Sequence, residues 1–461
     1  MLRRHLAAAA VAVLAFAGLG RPALAQTTPP PAAPVEIQFW HGLPQPLGGL
    51  LEKIVADFNA SQTQYRVVPT FRGTYPETMV GAVAAFRSST APHIVQMYEV
   101  GTGTMLAAGR AIRPVHELLS STGISIDFND YLPPVRGYYQ AADGRQMSMP
   151  FNSSTAVMFY NKDLFQRAGL DPNAPPKTWA EVEAAARKLK AAGISCPMTT
   201  SWPAWIQVEQ VLAMHNQPLA TQANGFRGLN AEMRLAGPLM VRHMQNLVEW
   251  QRQGLFRYGG RDAAADGLFP SGECAMAFAS SGLRARIVRE GRFQWGTAML
   301  PYYGDVAGAP RNSIIGGASF WVMNKGPNAG ATGGRSAEEW RGVASFFRYI
   351  ASPEVDAKWH QDTGYVPVRR ASYEVARRAG YYQQNPGAEV AIEQLLRGGA
   401  ATENSRGIRL GGYVEIRTII QEEMEKAFQA QQSAQQAMEA ANTRANAVLR
   451  NFERQNARAA Q

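Results

Sequence analysis

Pro150-Phe151-Asn152-Ser153-Ser154-Thr155 runs directly into Ala156-Val157-Met158-Phe159-Tyr160-Asn161-Lys162-Asp163. Four small polar residues interrupt an extended, β-prone run, and the apolar pattern then resumes. Two readings account for the interruption. Asn, Ser and Thr are ordinary turn residues, so the stretch can be a surface turn. It can also be a chain passing between two domains, with amides and hydroxyls presented in the cleft between them. The organisation on either side decides for the second.

Upstream, strand and helix alternate. Glu36-Ile-Gln-Phe-Trp40 reads as a strand, and Leu47, Leu50, Leu51, Ile54, Val55 and Phe58 then fall on one helical face. Tyr65 to Thr70 is a second strand, 76–87 a helix, Ile94 to Tyr98 a third strand, and 102–109 a further helix. Downstream the pattern repeats. Thr178-x-x-Glu181 is a capping box opening a helix through Ala192, and strands are expected near 194–199, 274–279 and 294–300. Ile314 to Met323 follows, then a Gly-rich loop and a helix from Ser336 to Ala351; beyond residue 420 the Gln/Ala/Glu-rich chain reads as helix packing one face. Such alternation predicts an α/β fold with parallel sheets, and the length exceeds what one core usually serves.

Arg3 and Arg4, the apolar run Leu6 to Leu19 and Ala23-Leu24-Ala25 read as a secretory signal, best suited to Sec export, with the mature chain starting at Gln26. Losing Arg3, Arg4 and Arg21 lowers the formal net charge from +10 to +7. With no block of like charge, nucleic acid is not an expected partner. Thr27 to Pro34 reads as a semi-rigid spacer. No later run is long and apolar enough to span a membrane. Cys196 and Cys274 permit one disulfide in an oxidising compartment, and two buried thiols that never meet fit equally well.

Catalytic and metal signatures are mostly missing, although a carboxylate pair for glycoside cleavage is spaced in three dimensions and leaves no mark in sequence. His5, His41, His93, His116, His215, His243 and His360 never pair at i, i+4, and there is no H-E-x-x-H, C-x-x-C, G-x-S-x-G, P-loop or G-x-G-x-x-G. No catalytic residue, metal or cofactor is therefore expected. Polar and aromatic residues do gather at predicted strand ends, where open α/β sheets bind ligands. Ser280-Ser281-Gly282 sits between a strand and a helix, and Gly316-Gly317-Ala318-Ser319 permits close backbone approach. Each can also be a plain turn. Trp202 and Trp205, in a Ser/Pro-rich segment, line either a cleft or a core.

The segments Phe39-Trp-His-Gly42, Thr70 to Tyr75, Ala91 to Thr102, Pro150 to Asp163, Trp202 to Gln207, Gly272 to Met276, Ala279 to Gly282, Ile314 to Ser319, Trp359 to Tyr365 and Leu410 to Arg417 together carry a resemblance. Across nearly all the mature chain it resembles the periplasmic solute-binding subunits of ABC importers, extracellular solute-binding protein family 1, and within them the glycerol 3-phosphate-binding group. The stretch Ala401 to Gly407 departs from the Pro-containing form of that group.

The resemblance implies a two-lobed type II clamp, each lobe a mostly parallel sheet flanked by helices, joined by hinge crossovers. It divides the chain into a signal peptide (1–25), a spacer (26–34), an N-terminal lobe (35–150 and 312–352) and a C-terminal lobe (151–311 and 353–461). The implied ligand contacts are Tyr75 and Glu99 from the first lobe, Ser154 at the crossover, Ser280 and Gly317 on strand-end loops, then Tyr365 and Arg417. Trp202 and Trp205 would form an aromatic wall. Phosphate favours hydroxyl and N–H donors with one permanent cation. Arg417, Ser154, Ser280, Tyr365 and the Gly317 N–H are therefore assigned to a phosphate end, and Glu99 with Tyr75 to a glycerol end.

The implied partners are sn-glycerol 3-phosphate or glycerophosphocholine, and the permease subunits of an ABC importer with their cytoplasmic ATPase. A monomer in solution is expected. Two alternatives are an oligosaccharide receptor, which would not need Arg417 among hydroxyls, and a secreted hydrolase, which would need a metal cluster or a catalytic carboxylate pair.

Overall fold

Alternating burial along Val35-Glu-Ile-Gln-Phe-Trp-His41 produces the first strand, with Ile37, Phe39 and His41 turned inward. The helix Leu47–Ser61 that follows buries Leu51, Val55 and Phe58 from its apolar face. The computed structural model describes residues 33–457. The expected signal peptide and nearly all of the spacer lie outside the described residues. Capping boxes start three helices: Thr74 with Glu77 opens Tyr75–Arg87, Thr178 with Glu181 opens Trp179–Ala191, and Ser336 with Glu339 opens Ala337–Ile350.

The strands are β1 (Val35–His41), β2 (Tyr65–Phe71), β3 (Ile94–Tyr98), β4 (Ile112–Arg113), β5 (Met149–Ser154), β6 (Ala156–Asn161), β7 (Cys196–Thr200), β8 (Phe256–Tyr258), β9 (Cys274–Ser280), β10 (Trp295–Ala298) and β11 (Gly316–Met323). They make two sheets. The first runs β2-β1-β3-β11-β4, with β5 also paired to β11, and the second runs β10-β6-β9-β7-β8. The sheets are mixed. β1 is parallel to β2 and β3, and β7 to β8 and β9, which are the strand-helix-strand units. β11, β5 and β6, the strands adjoining the passages between sheets, pair antiparallel. Parallel pairing needs a helical return, and a chain arriving from the other sheet has none.

The opening stretch acquires a definite geometry. Asn152, Ser153 and Ser154 do not break the strand; they complete β5 on β11, fully buried. Thr155 alone separates β5 in the first sheet from β6 in the second. Its hydroxyl donates to Ile314 O (2.9 Å) and pairs with the Ser313 hydroxyl (2.7 Å) on the segment returning toward β11. The Val366 N–H donates to Ser153 O (2.9 Å), so a third length of chain runs alongside. The division expected between 150 and 151 therefore falls inside β5, and the sheets change at Thr155. The division expected at 352/353 also lacks a change of packing, because Pro353–Thr363 contacts the helices Leu47–Ser61 and Ala337–Ile350 of the first sheet as well as Arg284–Glu290.

Phe39, Phe320, Phe346 and Phe347 pack edge-on and tilted beneath the first sheet. Beneath the second, Trp179 stacks on Trp250 and packs tilted against Phe278. Cys196 and Cys274 are partners across β7 and β9 and are joined by a disulfide, which decides the question left open above. The C-terminal helix Ala434–Ala457 buries Ala437, Met438, Ala441, Ala445 and Leu449 against Tyr413–Phe428 and Pro238–Arg252. Its Asn442 and Asn446 accept the N–H groups of Leu235 and Met233 (3.0 and 2.8 Å).

Candidate ligand-binding site

Strand ends converge on one cavity of about 300 Å³. β3 ends at Tyr98 and turns through Glu99; β5 ends at Ser154; β9 ends at Ser280; β11 begins with Gly316 and Gly317. Tyr75 opens the helix capped by Thr74, Tyr365 follows the helix Pro353–Thr363, and Arg417 projects from Tyr413–Phe428. The wall includes Tyr75, Glu99, Ser154, Trp202, Trp205, Ser280, Gly317, Tyr365 and Arg417, so every candidate from the sequence lines this single cavity. Sequence reasoning missed Tyr98, Asp266, Arg286 and the largely apolar turn Leu43 to Leu47, which line it too.

Two glycines make the crossing chain fit. Gly317 has φ 92°, a left-handed conformation, and a Cβ there would collide with the Asn152 carbonyl of β5. A Cβ on Gly316 would strike the Trp205 ring, which packs against the crossing. Trp202 has φ 47°, unusual for a bulky residue, and its N–H donates to Asp262 O (2.7 Å). The chain then winds as a π-helical segment, Ala204–Gln210, with every residue buried. Such widened turns recur at functional sites. This one sends Trp205 to the cavity and Glu209 to Arg417. Its Gln210 both donates to and accepts from Ile314 of the crossing (2.9 and 3.0 Å).

At one end lies a buried ion triad. Arg417 Nε and Nη2 donate to the two oxygens of Glu209 (2.7 and 2.8 Å), and Nη2 also donates to Glu99 (2.6 Å). Burial opposes the charge on Arg417, but the two carboxylates outweigh it and hold the guanidinium well above its ordinary pKa. Burial, partly offset by Arg417, pushes Glu99 upward. The assignment of Arg417 and Glu99 to opposite ends is therefore corrected: they are in direct contact. The reason is electrostatic. A buried guanidinium must be paired, and Glu209, invisible to spacing arguments, pairs it bidentately.

The other end is rich in hydroxyls. Tyr75 stacks on Tyr98 (centroids 5.4 Å apart), and its hydroxyl accepts from Asn152 Nδ2 (3.0 Å). Asn152 is held in turn by Gln96, whose Nε2 donates to Asn152 Oδ1 (2.8 Å). Tyr365 stacks on Trp359, and burial pushes its hydroxyl up to about 12. Burial also raises Tyr75 well above the ordinary tyrosine value, so both stay protonated and able to donate. Ser280 Oγ accepts the Gly282 N–H (3.2 Å), leaving its own proton for a ligand. Asp266 accepts from the Ser201 hydroxyl, and burial lifts its carboxyl to about 6. Among the described residues no cluster of His, Cys, Asp or Glu is arranged to hold a metal ion, and no helix is long and apolar enough to cross a membrane.

Comparison with known proteins gives a consistent set of relatives. Residues 53–390 match the family profile described as a bacterial extracellular solute-binding protein. The sn-glycerol-3-phosphate-binding periplasmic protein UgpB of Yersinia pestis is 43% identical over 92% of this chain and 94% of its own. The protein of the same name from Salmonella typhimurium is 42% identical over 98% of both chains. The crystal structure of UgpB from Mycobacterium tuberculosis in complex with glycerophosphocholine shares the fold at 20% identity. Its TM-score is 0.73, over 91% of this chain and 99% of that one.

Proposed function

The chain belongs to the bacterial extracellular solute-binding protein family, and we propose that it is the periplasmic receptor of an ABC importer, capturing sn-glycerol 3-phosphate. Relatives matched over 92% and 98% of this chain are named for that ligand. The observation that carries the reading is the polarity of the cavity, with an ion triad at one end and hydroxyl donors gathered at the other. Glu99 accepts from the glycerol hydroxyls. Arg417 Nη1, which has no hydrogen-bond partner among the described residues, donates to a hydroxyl oxygen. The phosphate oxygens sit among Ser154, Ser280, Tyr75, Tyr365 and the Gly317 N–H. Trp202 and Trp205 cover the carbon chain and exclude water.

Binding residues come from both sheets, so ligand stabilises a closed arrangement through contacts made only there. Glycerophosphodiesters such as glycerophosphocholine form a second ligand class, since the apolar turn Leu43 to Leu47 offers a wall for a substituent. The receptor works as a monomer, delivering ligand to permease subunits driven by a cytoplasmic ATPase, and catalyses no reaction. Calorimetric titration with glycerol 3-phosphate, glycerophosphocholine, maltose and inorganic phosphate tests this. Heat is expected with the first two; heat with maltose alone overturns it in favour of an oligosaccharide receptor.

A further inference from the structure

Of the side chains lining the cavity, Arg417 and Arg286 are the cations. Arg417 is engaged by Glu99 and Glu209, and a cluster of one cation and two carboxylates offers a dianion no net attraction. Phosphate needs a charge from elsewhere.

We propose that Arg286 is the cation that recognises the phosphate group, and that it sets a preference for a monoester over a diester. The inference rests on the glycerophosphate reading above and adds a residue to it. Arg286 lies on the helix Arg284–Glu290, which follows the Ser280 loop, so it enters the cavity from the hydroxyl-rich side. Its Nε donates to Glu290 Oε2 (2.7 Å), which anchors the stem of the fork. Nη1 and Nη2 have no hydrogen-bond partner among the described residues. They lie against Gly267, where a Cβ would come within 3.3 Å of Nη2, beside the cavity-lining Asp266. The side chain is 38% exposed, so the guanidinium is accessible to an anion arriving from solution.

A guanidinium fork placed there discriminates by charge. A phosphate monoester has a second pKa near 6 and carries close to two negative charges at neutral pH with three terminal oxygens. A diester carries one charge and two terminal oxygens. Loss of the fork therefore costs the monoester more. A merely structural role for Arg286, holding Glu290 or Asp266, would weaken both ligands alike.

Calorimetric affinities for glycerol 3-phosphate and glycerophosphocholine, measured on wild type, Arg286→Gln and Arg286→Lys, test the assignment. Arg286→Gln is expected to weaken the monoester about tenfold or more. It should weaken the diester by about threefold or less, and Arg286→Lys, which keeps the charge, should recover part of the preference. If Arg286→Gln does not fold, the lysine variant carries the comparison: a selective loss for the monoester supports the assignment and an equal loss overturns it. Unchanged affinities in Arg286→Gln overturn this inference alone. No heat from wild type with either ligand overturns the glycerophosphate reading and this inference with it.

Discussion

Arg417 is sandwiched between Glu99 and Glu209 with all three side chains almost wholly buried, and that arrangement governs what mutating each one does. Removing the arginine strands two carboxylates facing each other without a counter-charge. Breaking a buried pair in this way costs about 3–5 kcal/mol. Arg417→Ala is therefore expected to lower the urea-unfolding free energy of the ligand-free protein by that amount, so its lost binding would say little about ligand contact. Glu99→Gln keeps the shape and leaves Arg417 paired with Glu209. It is expected to unfold near the wild-type midpoint and to weaken glycerol 3-phosphate about tenfold, the worth of a charged hydrogen bond. Unaltered affinity in Glu99→Gln would remove Glu99 from the polyol end. The motif segments brought Glu99 and Arg417 forward as candidates, but not their contact, because 318 residues separate them.

Elements differ in how openly the sequence declares them. The three capping boxes are local, four-residue devices, so Thr178-x-x-Glu181 and Ser336-x-x-Glu339 announce their helices directly. The π-helical segment Ala204–Gln210 has no such signature, and its Trp205, Glu209 and Gln210 reach the cavity, Arg417 and the crossing. The Cys196–Cys274 bridge is also a property of paired elements, since it needs β7 and β9 in parallel register. It closes a span of 78 residues. Reduction is expected to destabilise the protein by about 2–5 kcal/mol, read from unfolding curves with and without dithiothreitol. Ligand affinity should hold, because the cysteines begin β7 and β9 whereas the cavity lies beyond the opposite ends, at Trp202 and Ser280. An affinity that falls with reduction would mean that the bridge positions the strand ends.

For the whole molecule, burial sets how stability responds to pH. Asp356 accepts weakly from the Val368 and Arg369 N–H groups (3.4 and 3.3 Å), just past the segment that runs beside β5, and burial lifts its carboxyl to about 7. Its folded value exceeds the unfolded one, so the folded state holds a proton that the unfolded chain releases. This contribution to stability is full below about 3.8 and is lost as pH rises through about 7. His243, buried between Gln207 and Tyr303 and lowered by burial to about 3, has the opposite sign: its contribution is present above 6.5 and fades as pH falls through about 3. The stability difference between wild type and Asp356→Asn isolates the first term. It should shift against wild type between pH 4 and 7 by up to about 1.4 kcal/mol per pH unit; urea unfolding across that range checks it, and a flat difference refutes it. The sequence by itself determined the strand-helix alternation and the set of loop residues at strand ends, because each is written in local periodicity or in short contiguous motifs. Only the tertiary structure decided that Asn152 to Ser154 complete a strand and the sheets change at Thr155, that Arg417 is neutralised by Glu99 and Glu209, and that Arg286 is left facing the cavity. Those outcomes depend on which distant side chains meet once two sheets are packed, and periodicity specifies the face of an element without naming its partner.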